Sequence, residues 1–175
     1  MTQKINLTIL GTSTGIPTAR RNHSSILLEY QGENILIDCG EGTQRQLRKA
    51  GLNPCKITKI LITHTHGDHI LGLPGLLQTL NLSECKNKIV IYCPRHAKHK
   101  IEAIIDLLVI GKNTPLEIKE VSGKFFENKE FYLEAIELSH GVPTNGYAFV
   151  KKDKTRLDRK KIKKLGICPT CGKKM

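Results

Sequence analysis

The sequence contains no tryptophan, and aromatic residues occupy only 5% of its 175 positions. It also lacks a run of about 18 apolar residues, the length that a membrane-spanning helix requires, because the longest candidate, 103–110, is interrupted by Asp106. The first residues show no apolar core of a signal peptide and lead directly into a strand-like pattern. We therefore expect a cytoplasmic protein that does not enter a membrane.

Acidic residues are scarce at the C-terminal end. Residues 151–175 contain 11 Lys and Arg against 2 Asp, so this segment carries +9 of the formal net charge of +12. The sequence thus divides into residues 1–150, whose net charge is only +3, and a basic segment, 151–175. Such a segment attracts a polyanion, with RNA or DNA as the first candidates, although a solvated tail with spare charge fits the composition equally well.

Cysteines are few and, in a chain without an export signal, we expect them to be free thiols rather than a disulfide framework. Only the last two form a motif, because Cys168 and Cys171 are spaced as half of a structural zinc site. A second pair downstream, a partner chain or two ordinary thiols all fit this spacing. The six positions are Cys39, Cys55, Cys85, Cys93, Cys168 and Cys171.

No nucleotide-binding motif is present. The loop 11–18 is rich in glycine and hydroxyl side chains, but it lacks the Gly-Lys-Ser/Thr ending of a P-loop and the glycine spacing of a dinucleotide site. We therefore expect no nucleotide cofactor, and without further context this loop indicates a turn.

Strand and helix patterns alternate along the first 150 residues and predict an α/β fold. Gly32 indicates a hairpin between the second and third strands. Thr43 is expected to cap a helix that Gly51 ends, and Pro94 to begin another. The predicted strands are 5–10, 24–30, 34–39, 57–62, 88–92, 116–121 and 131–138, and the predicted helices are 44–50, one with its buried face at Leu73, Leu76, Leu77 and Leu80, and 94–109.

The stretch 63–69, Thr-His-Thr-His-Gly-Asp-His, falls between an apolar strand and a helix. Alternate residues of an extended segment point the same way, so His64 and His66 can converge on one ion, while Asp68 and His69 turn toward a second. A solvated polar loop is the alternative, but three histidines and an aspartate so close together favour a metal site. Imidazole with carboxylate suits zinc best, ahead of manganese or iron.

Further candidates lie at the ends of other strands. His140 follows a strand end, as the first cluster does, and is expected to add a nitrogen ligand. Asp38 also ends a strand and either supports an imidazole ligand or closes a turn. His96 and His99 lie among basic residues and are expected to be solvated.

These motifs together resemble a known family. The segment 64–69 is similar to the His-x-His-x-Asp-His signature of the metallo-β-lactamase superfamily, whose fold is an αββα sandwich. The surrounding residues resemble ribonuclease Z, the tRNA 3′-processing endonuclease family. The four matching stretches occur in that family's order: 11–22, 38–47, 69–76 and 140–147.

The resemblance implies a role for each matching residue. His64, His66 and His140 would hold one zinc, Asp68 and His69 a second, and Asp68 would also act on the attacking water. It further implies two zinc ions per complete subunit, precursor tRNA as substrate and a homodimer. Candidates for supporting or substrate-side roles are Asp38, Thr12, Pro17 and Thr18.

The resemblance also shows what is missing. The family's later bridging aspartate and later histidine have no counterpart, because no histidine follows His140. We expect only the first αβ half of the fold plus the start of the tRNA-binding arm, and a chain that is inactive unless a second segment completes the site. Two alternatives are a small-molecule hydrolase of the same fold, such as a lactonase or an arylsulfatase-like enzyme, and a non-enzymatic RNA- or metal-binding remnant.

Overall fold

The computed structural model describes residues 4–106 and 114–153, which form nine strands, four α-helices and one short 3-10 helix at Pro54–Lys56. The strands are β1 (Asn6–Gly11), β2 (Ser25–Tyr30), β3 (Glu33–Ile37), β4 (Lys59–Leu61), β5 (Ile89–Cys93), β6 (Leu116–Glu120), β7 (Gly123–Glu127), β8 (Phe131–Leu138) and β9 (Thr144–Lys151). The helices are α1 (Thr43–Lys49), α2 (Gly67–Ile70), α3 (Leu73–Leu82) and α4 (Lys98–Asp106). The predicted α/β class is confirmed.

Two sheets organise the described residues. The larger has the order β1-β2-β3-β4-β5-β6, in which β1, β2 and β3 pair antiparallel and β3 to β6 pair parallel. The smaller is antiparallel, with the order β7-β8-β9. The carboxyl ends of β3, β4, β5 and β6 therefore share one edge, which is where open α/β sheets commonly bind ligands.

The central strands β2 to β5 of the larger sheet bury apolar residues on both faces, because their alternate side chains point to opposite sides. Leu36 and Ile60 point toward the helices, where they meet the leucine stripe of α3, including Leu76. Their neighbours Ile35 and Leu61 point the other way, into a second core shared with the smaller sheet. The described part of the chain thus has three layers: helices, the larger sheet and the smaller sheet.

A two-residue hairpin joins β2 to β3, as Gly32 predicts. Gln31 and Gly32 both have positive φ angles, 55° and 81°, between the paired residues Tyr30 and Glu33. Two successive left-handed residues match the twist of the flanking strands. The hairpin fixes the register of β3, and β3 delivers Asp38 to the ligand-binding edge.

Two helix starts differ from the sequence predictions. Thr43 is the first residue of α1 rather than its cap; the cap is Gly42, and the Thr43 hydroxyl donates to Gly40 O at 2.7 Å. Helix α4 begins at Lys98, not Pro94, because His96 has a left-handed φ of 64° and the Lys98 N–H is bound by Glu120 Oε1. The predicted end of this helix near Val109 lies outside the described residues.

The expectation that all cysteines are thiols is wrong for one pair. Cys55 and Cys85 form a disulfide, because the turn 54–56 and the end of α3 bring their Cα atoms to 5.3 Å. Cys39 and Cys93 are buried free thiols, and burial raises the pKa of Cys39 to about 12. Cys168 and Cys171 lie outside the described residues.

The described helices give no membrane-spanning candidate, since none of them combines the necessary length with sufficient apolar character.

A close backbone approach joins the loop after β3 to the stretch 63–72. Gly72 N–H donates to Cys39 O at 2.9 Å, and Cys39 N–H donates to His69 O at 2.8 Å. A Cβ atom on Gly72 would lie 2.0 Å from Gly40 O, so only glycine fits there. This contact holds Asp38 and His69 on the same edge of the sheet.

We predict that Gly72→Ala lowers the free energy of unfolding by about 1–3 kcal/mol or more, because two backbone segments must separate. Gly15→Ala is the matched control: its Cβ would meet nothing within 4 Å, and the change is expected to stay within about 0.5 kcal/mol. Denaturant unfolding measures both. Equal stability of the two variants would contradict the packing described above.

Candidate metal centre

Residues 63–70 form the corner between β4 and α2. Strand β4 ends at Leu61, Ile62 is still fully buried, and α2 begins at Gly67 with His66 as its extended N-cap residue. The predicted strand-to-helix corner is therefore present. Apolar Ile62 anchors the chain in the core, and the polar residues that follow emerge at the carboxyl edge of the larger sheet.

Three histidines meet at this corner. The ligand atoms of His64, His66 and His140 all lie within 4.8 Å of one another. His140 comes from the loop after β8, so the smaller sheet contributes the third ring. His64 is buried, whereas His66 and His140 are exposed, which gives a site with one deep nitrogen and two nitrogens at the surface. Three imidazoles in this arrangement suit a zinc-type ion with an open position.

Asp68 and His69 lie beside this trio on α2. Asp68 Oδ2 is 3.3 Å from His69 Nε2, and the ring centroids of His69 and His64 are 4.1 Å apart. These two side chains therefore present a nitrogen and a carboxylate next to the three histidines. Imidazole and carboxylate are both side-chain types that coordinate divalent metal ions.

Asp38 connects the donor sets to the fold. Its Oδ2 accepts from His69 Nδ1 at 2.6 Å, and its Oδ1 accepts from the Thr63 N–H at 2.8 Å. Asp38 is 3% exposed and has a left-handed φ of 56°. Its N–H donates to Leu61 O at 2.8 Å, so the pairing of β3 with β4 fixes its position.

Thr63 extends this network to His64. The Thr63 hydroxyl is 2.9 Å from Asp38 Oδ2 and 2.9 Å from His64 Nδ1. When the hydroxyl donates to the carboxylate, it accepts from His64 Nδ1. Both His64 and His69 then carry their protons on Nδ1 and leave the Nε2 lone pairs free for a metal, which is the usual role of a supporting carboxylate.

The buried imidazole of His64 and the half-buried imidazole of His69 have pKa values shifted in opposite directions. Burial, followed by the charge of His69, lowers the pKa of His64 to about 4, so His64 is neutral at physiological pH. Burial also acts to lower the pKa of His69, but the hydrogen bond and charge of Asp38, together with Asp68, outweigh it and raise that pKa. A metal at His69 must therefore compete with a proton more strongly than a metal at His64.

The remaining substrate-side candidates belong to a different segment of the chain from the histidines. Thr12, Pro17 and Thr18 are exposed in the loop after β1. Thr12 N–H donates to Asn22 O, and Thr18 Oγ1 accepts from the Arg21 N–H, both at 2.9 Å. Within the described ranges these contacts stay inside the loop. His96 and His99 are exposed, as expected.

Sequence reasoning missed two residues that build the corner. Thr63 precedes the first histidine, and nothing in its local pattern shows that its hydroxyl bridges Asp38 and His64. Tyr147 on β9 donates its hydroxyl to Ile62 O at 2.8 Å and thereby joins the two sheets next to the site. Both contacts span distant parts of the chain, so only the fold reveals them.

We predict that Asp38→Asn weakens zinc binding about 10–100-fold, because the amide holds the His69 imidazole less firmly than a carboxylate. Glu134→Gln is the control, since Glu134 is exposed on β8. Competition with a chromophoric chelator gives both affinities, and thermal unfolding checks that each variant is folded. Equal zinc affinity in the two variants would show that Asp38 does not support the site.

Comparison with known proteins identifies relatives. Residues 5–166 match the model of a family described as "Anti-Pycsar protein Apyc1". The chain is 46% identical over 172 residues to ribonuclease Z of Pyrococcus abyssi, covering 94% of this chain and 54% of that protein. The curated ribonuclease Z relatives are matched over about half of their length.

Solved structures of related proteins have a similar fold. Human tRNase Z, short form, is 34% identical, with a TM-score of 0.75 over 83% of this chain and 64% of that chain. A metallo-β-lactamase fold protein from Bacillus subtilis is 21% identical, with a TM-score of 0.65 over 82% of this chain and 57% of that chain. The latter likeness concerns the fold alone, and it confirms the predicted metallo-β-lactamase fold. The chain belongs to the family described as anti-Pycsar protein Apyc1, and it resembles ribonuclease Z over more than nine-tenths of its length.

Proposed function

We propose that this chain supplies the metal-binding part of a zinc-dependent endoribonuclease that removes the 3′ trailer from precursor tRNA. The observation that carries this proposal is the convergence of His64, His66 and His140, with ligand atoms within 4.8 Å, beside Asp68 and His69. Relatives named ribonuclease Z, at 38–46% identity, support the choice of substrate.

The donor set fits zinc. His64, His66 and His140 would hold one ion, and Asp68 and His69 would contribute to a second, giving two ions per complete subunit. Zinc ions in such a site make water a nucleophile at neutral pH and stabilise the charge that grows on the phosphodiester oxygens. The neutral state of His64, whose pKa is about 4, leaves its lone pair available.

The chain's own residues position and deprotonate the water. Asp68 takes the proton as the water oxygen bonds to phosphorus. The bond between phosphorus and the 3′ oxygen of the tRNA then breaks, leaving a tRNA 3′ hydroxyl and a 5′ phosphate on the trailer. Asp38 holds His69 in place through the 2.6 Å hydrogen bond. The proton for the departing 3′ oxygen is assigned to a donor on a further segment.

A further segment is part of the proposal because the donor set is incomplete. No histidine follows His140, and the only later acids are Asp153 and Asp158. The chain spans about half the length of its curated relatives. We propose that the missing ligands come from a second segment, that residues 151–175 contact the tRNA, and that the complete enzyme is a cytoplasmic homodimer.

We predict that the 175-residue chain binds fewer than two zinc ions at the donors described above. Inductively coupled plasma mass spectrometry after dialysis gives the zinc content per chain, and a variant with Cys168 and Cys171 replaced by serine removes any zinc held by thiolates. A content near two zinc ions in that variant would contradict the incomplete-site proposal.

Activity is tested in a chimera of residues 1–153 with the remaining half of the Pyrococcus abyssi enzyme. We predict that the chimera cleaves precursor tRNA after the discriminator nucleotide. His66→Ala should lower cleavage at least about 100-fold, more than the loss of a supporting residue costs, whereas His99→Ala, at an exposed histidine, should leave it unchanged.

The same chimera separates the alternatives. A folded, zinc-loaded chimera that hydrolyses lactone or aryl sulfate substrates but leaves precursor tRNA intact would overturn the nuclease proposal in favour of a small-molecule hydrolase. Salt-dependent tRNA binding without cleavage of any substrate would instead indicate a non-enzymatic remnant.

A further inference from the structure

A small cleft lies next to the metal centre, at the same edge of the larger sheet. It encloses about 170 Å³ between the turn after β5, the end of β6 and the loop that leads into β9. Because β4, β5 and β6 are parallel, their carboxyl ends lie side by side. The histidine corner follows β4, so the cleft is one strand away from it.

Hydrogen bonds connect the cleft to the metal centre. Asn145 lines it, and the Asn145 N–H donates to Thr63 O at 2.8 Å. Thr63 in turn contacts Asp38 and His64. The Asn145 side chain donates to Val121 O at 3.0 Å. This bond joins the start of β9 to the residue that follows β6, on the other side of the cleft. A group bound in the cleft is therefore held at a fixed place relative to the histidines.

The lining combines apolar walls with charged groups at the opening. Pro94, Val121 and Pro143 supply the apolar surface, and Arg95 and Glu137 are exposed beside it. Within the described ranges, neither the Arg95 side chain nor the Glu137 side chain has a hydrogen-bond or ion-pair partner. Their donors and acceptor are thus available to a ligand.

Backbone strain marks the same place. His96, which lines the cleft, has a left-handed φ of 64°. This conformation is uncommon for a residue other than glycine, and such residues cluster at ligand-binding turns. The turn presents Arg95 and His96 together at the opening, where both side chains are exposed.

We propose that this cleft, defined by Arg95, Glu137, Val121 and Pro143, binds one unpaired nucleotide of the RNA beside the scissile phosphate. A cleft of about 170 Å³ is a size that suits a single planar base rather than a base pair. Unpaired bases are commonly stacked on aromatic, histidine or arginine side chains and recognised through hydrogen bonds to their edges, and Arg95 and His96 both line this cleft. The proposal rests on the proposed nuclease function.

The charges distinguish between the two pyrimidine bases. A phosphate inside the cleft would be repelled by Glu137, so the base enters and Arg95 attracts the phosphate at the opening. A carboxylate accepts from the amino group of cytosine, whereas uracil presents a carbonyl oxygen at the same position. Glu137 therefore favours cytosine over uracil, two bases of the same size.

The test is binding of short oligocytidylate and oligouridylate of equal length to the full chain, followed by fluorescence anisotropy, with gels to check that the RNA stays intact. We expect the cytosine oligomer to bind at least about fivefold tighter, the lower end of what a good base contact gives. Glu137→Gln should bring this ratio close to one. Arg95→Ala should weaken both oligomers several-fold and keep the ratio.

Matched controls are Glu134→Gln and Arg48→Ala, which remove the same charges at exposed positions outside the cleft. Both should bind as the wild type does. A wild-type ratio near one, an unchanged ratio in Glu137→Gln, equal effects of Arg95→Ala and Arg48→Ala, or no binding of either oligomer would each overturn the cleft proposal.

The outcome is separable from that of the nuclease proposal. If the chimera cleaves precursor tRNA while the chain fails to distinguish the two oligomers, the cleft proposal fails and the nuclease proposal stands. If the chain prefers cytosine through Glu137 while the chimera leaves precursor tRNA intact, the cleft remains a nucleotide site and the nuclease proposal fails.

Discussion

The buried carboxylate of Asp38 is the contact on which the site depends. It receives the imidazole of His69 at 2.6 Å and the backbone and hydroxyl of Thr63. The carboxylate is placed by the pairing of β3 with β4, so the larger sheet determines where the donor nitrogens point. Without it, His64 and His69 would have no fixed tautomer, and the unpaired polar groups would be costly at this depth.

The smaller sheet completes what the larger sheet begins. Its loop after β8 carries His140 to His64 and His66, and Tyr147 anchors β9 to Ile62. The second core, which includes Ile35 and Phe131, holds the two sheets together beneath the site. The three histidines can therefore meet only when the two sheets are packed together.

Local patterns in the sequence predicted the parts of the fold that depend on neighbouring residues. The buried leucines of α3 and the hairpin at Gly32 were both predicted, because helical periodicity and turn preferences depend on residues close together in the sequence. The α4 start was not, since the left-handed turn at His96 and the Glu120 contact to Lys98 come from tertiary structure. The Cys55–Cys85 pairing likewise needs the fold. Strands β7 and β9 gave no clear alternation, and their pairing with β8 defines them.

The central claim is that His64, His66 and His140 form one metal site across the two sheets. X-ray absorption at the zinc edge tests it most directly, on the chain with Cys168 and Cys171 replaced by serine and loaded with one equivalent of zinc. The account predicts imidazole nitrogens at about 2.0–2.1 Å, with a lower imidazole count in His140→Ala and no change in His99→Ala. Sulfur ligands at about 2.3 Å, or an unchanged imidazole count in His140→Ala, would contradict it.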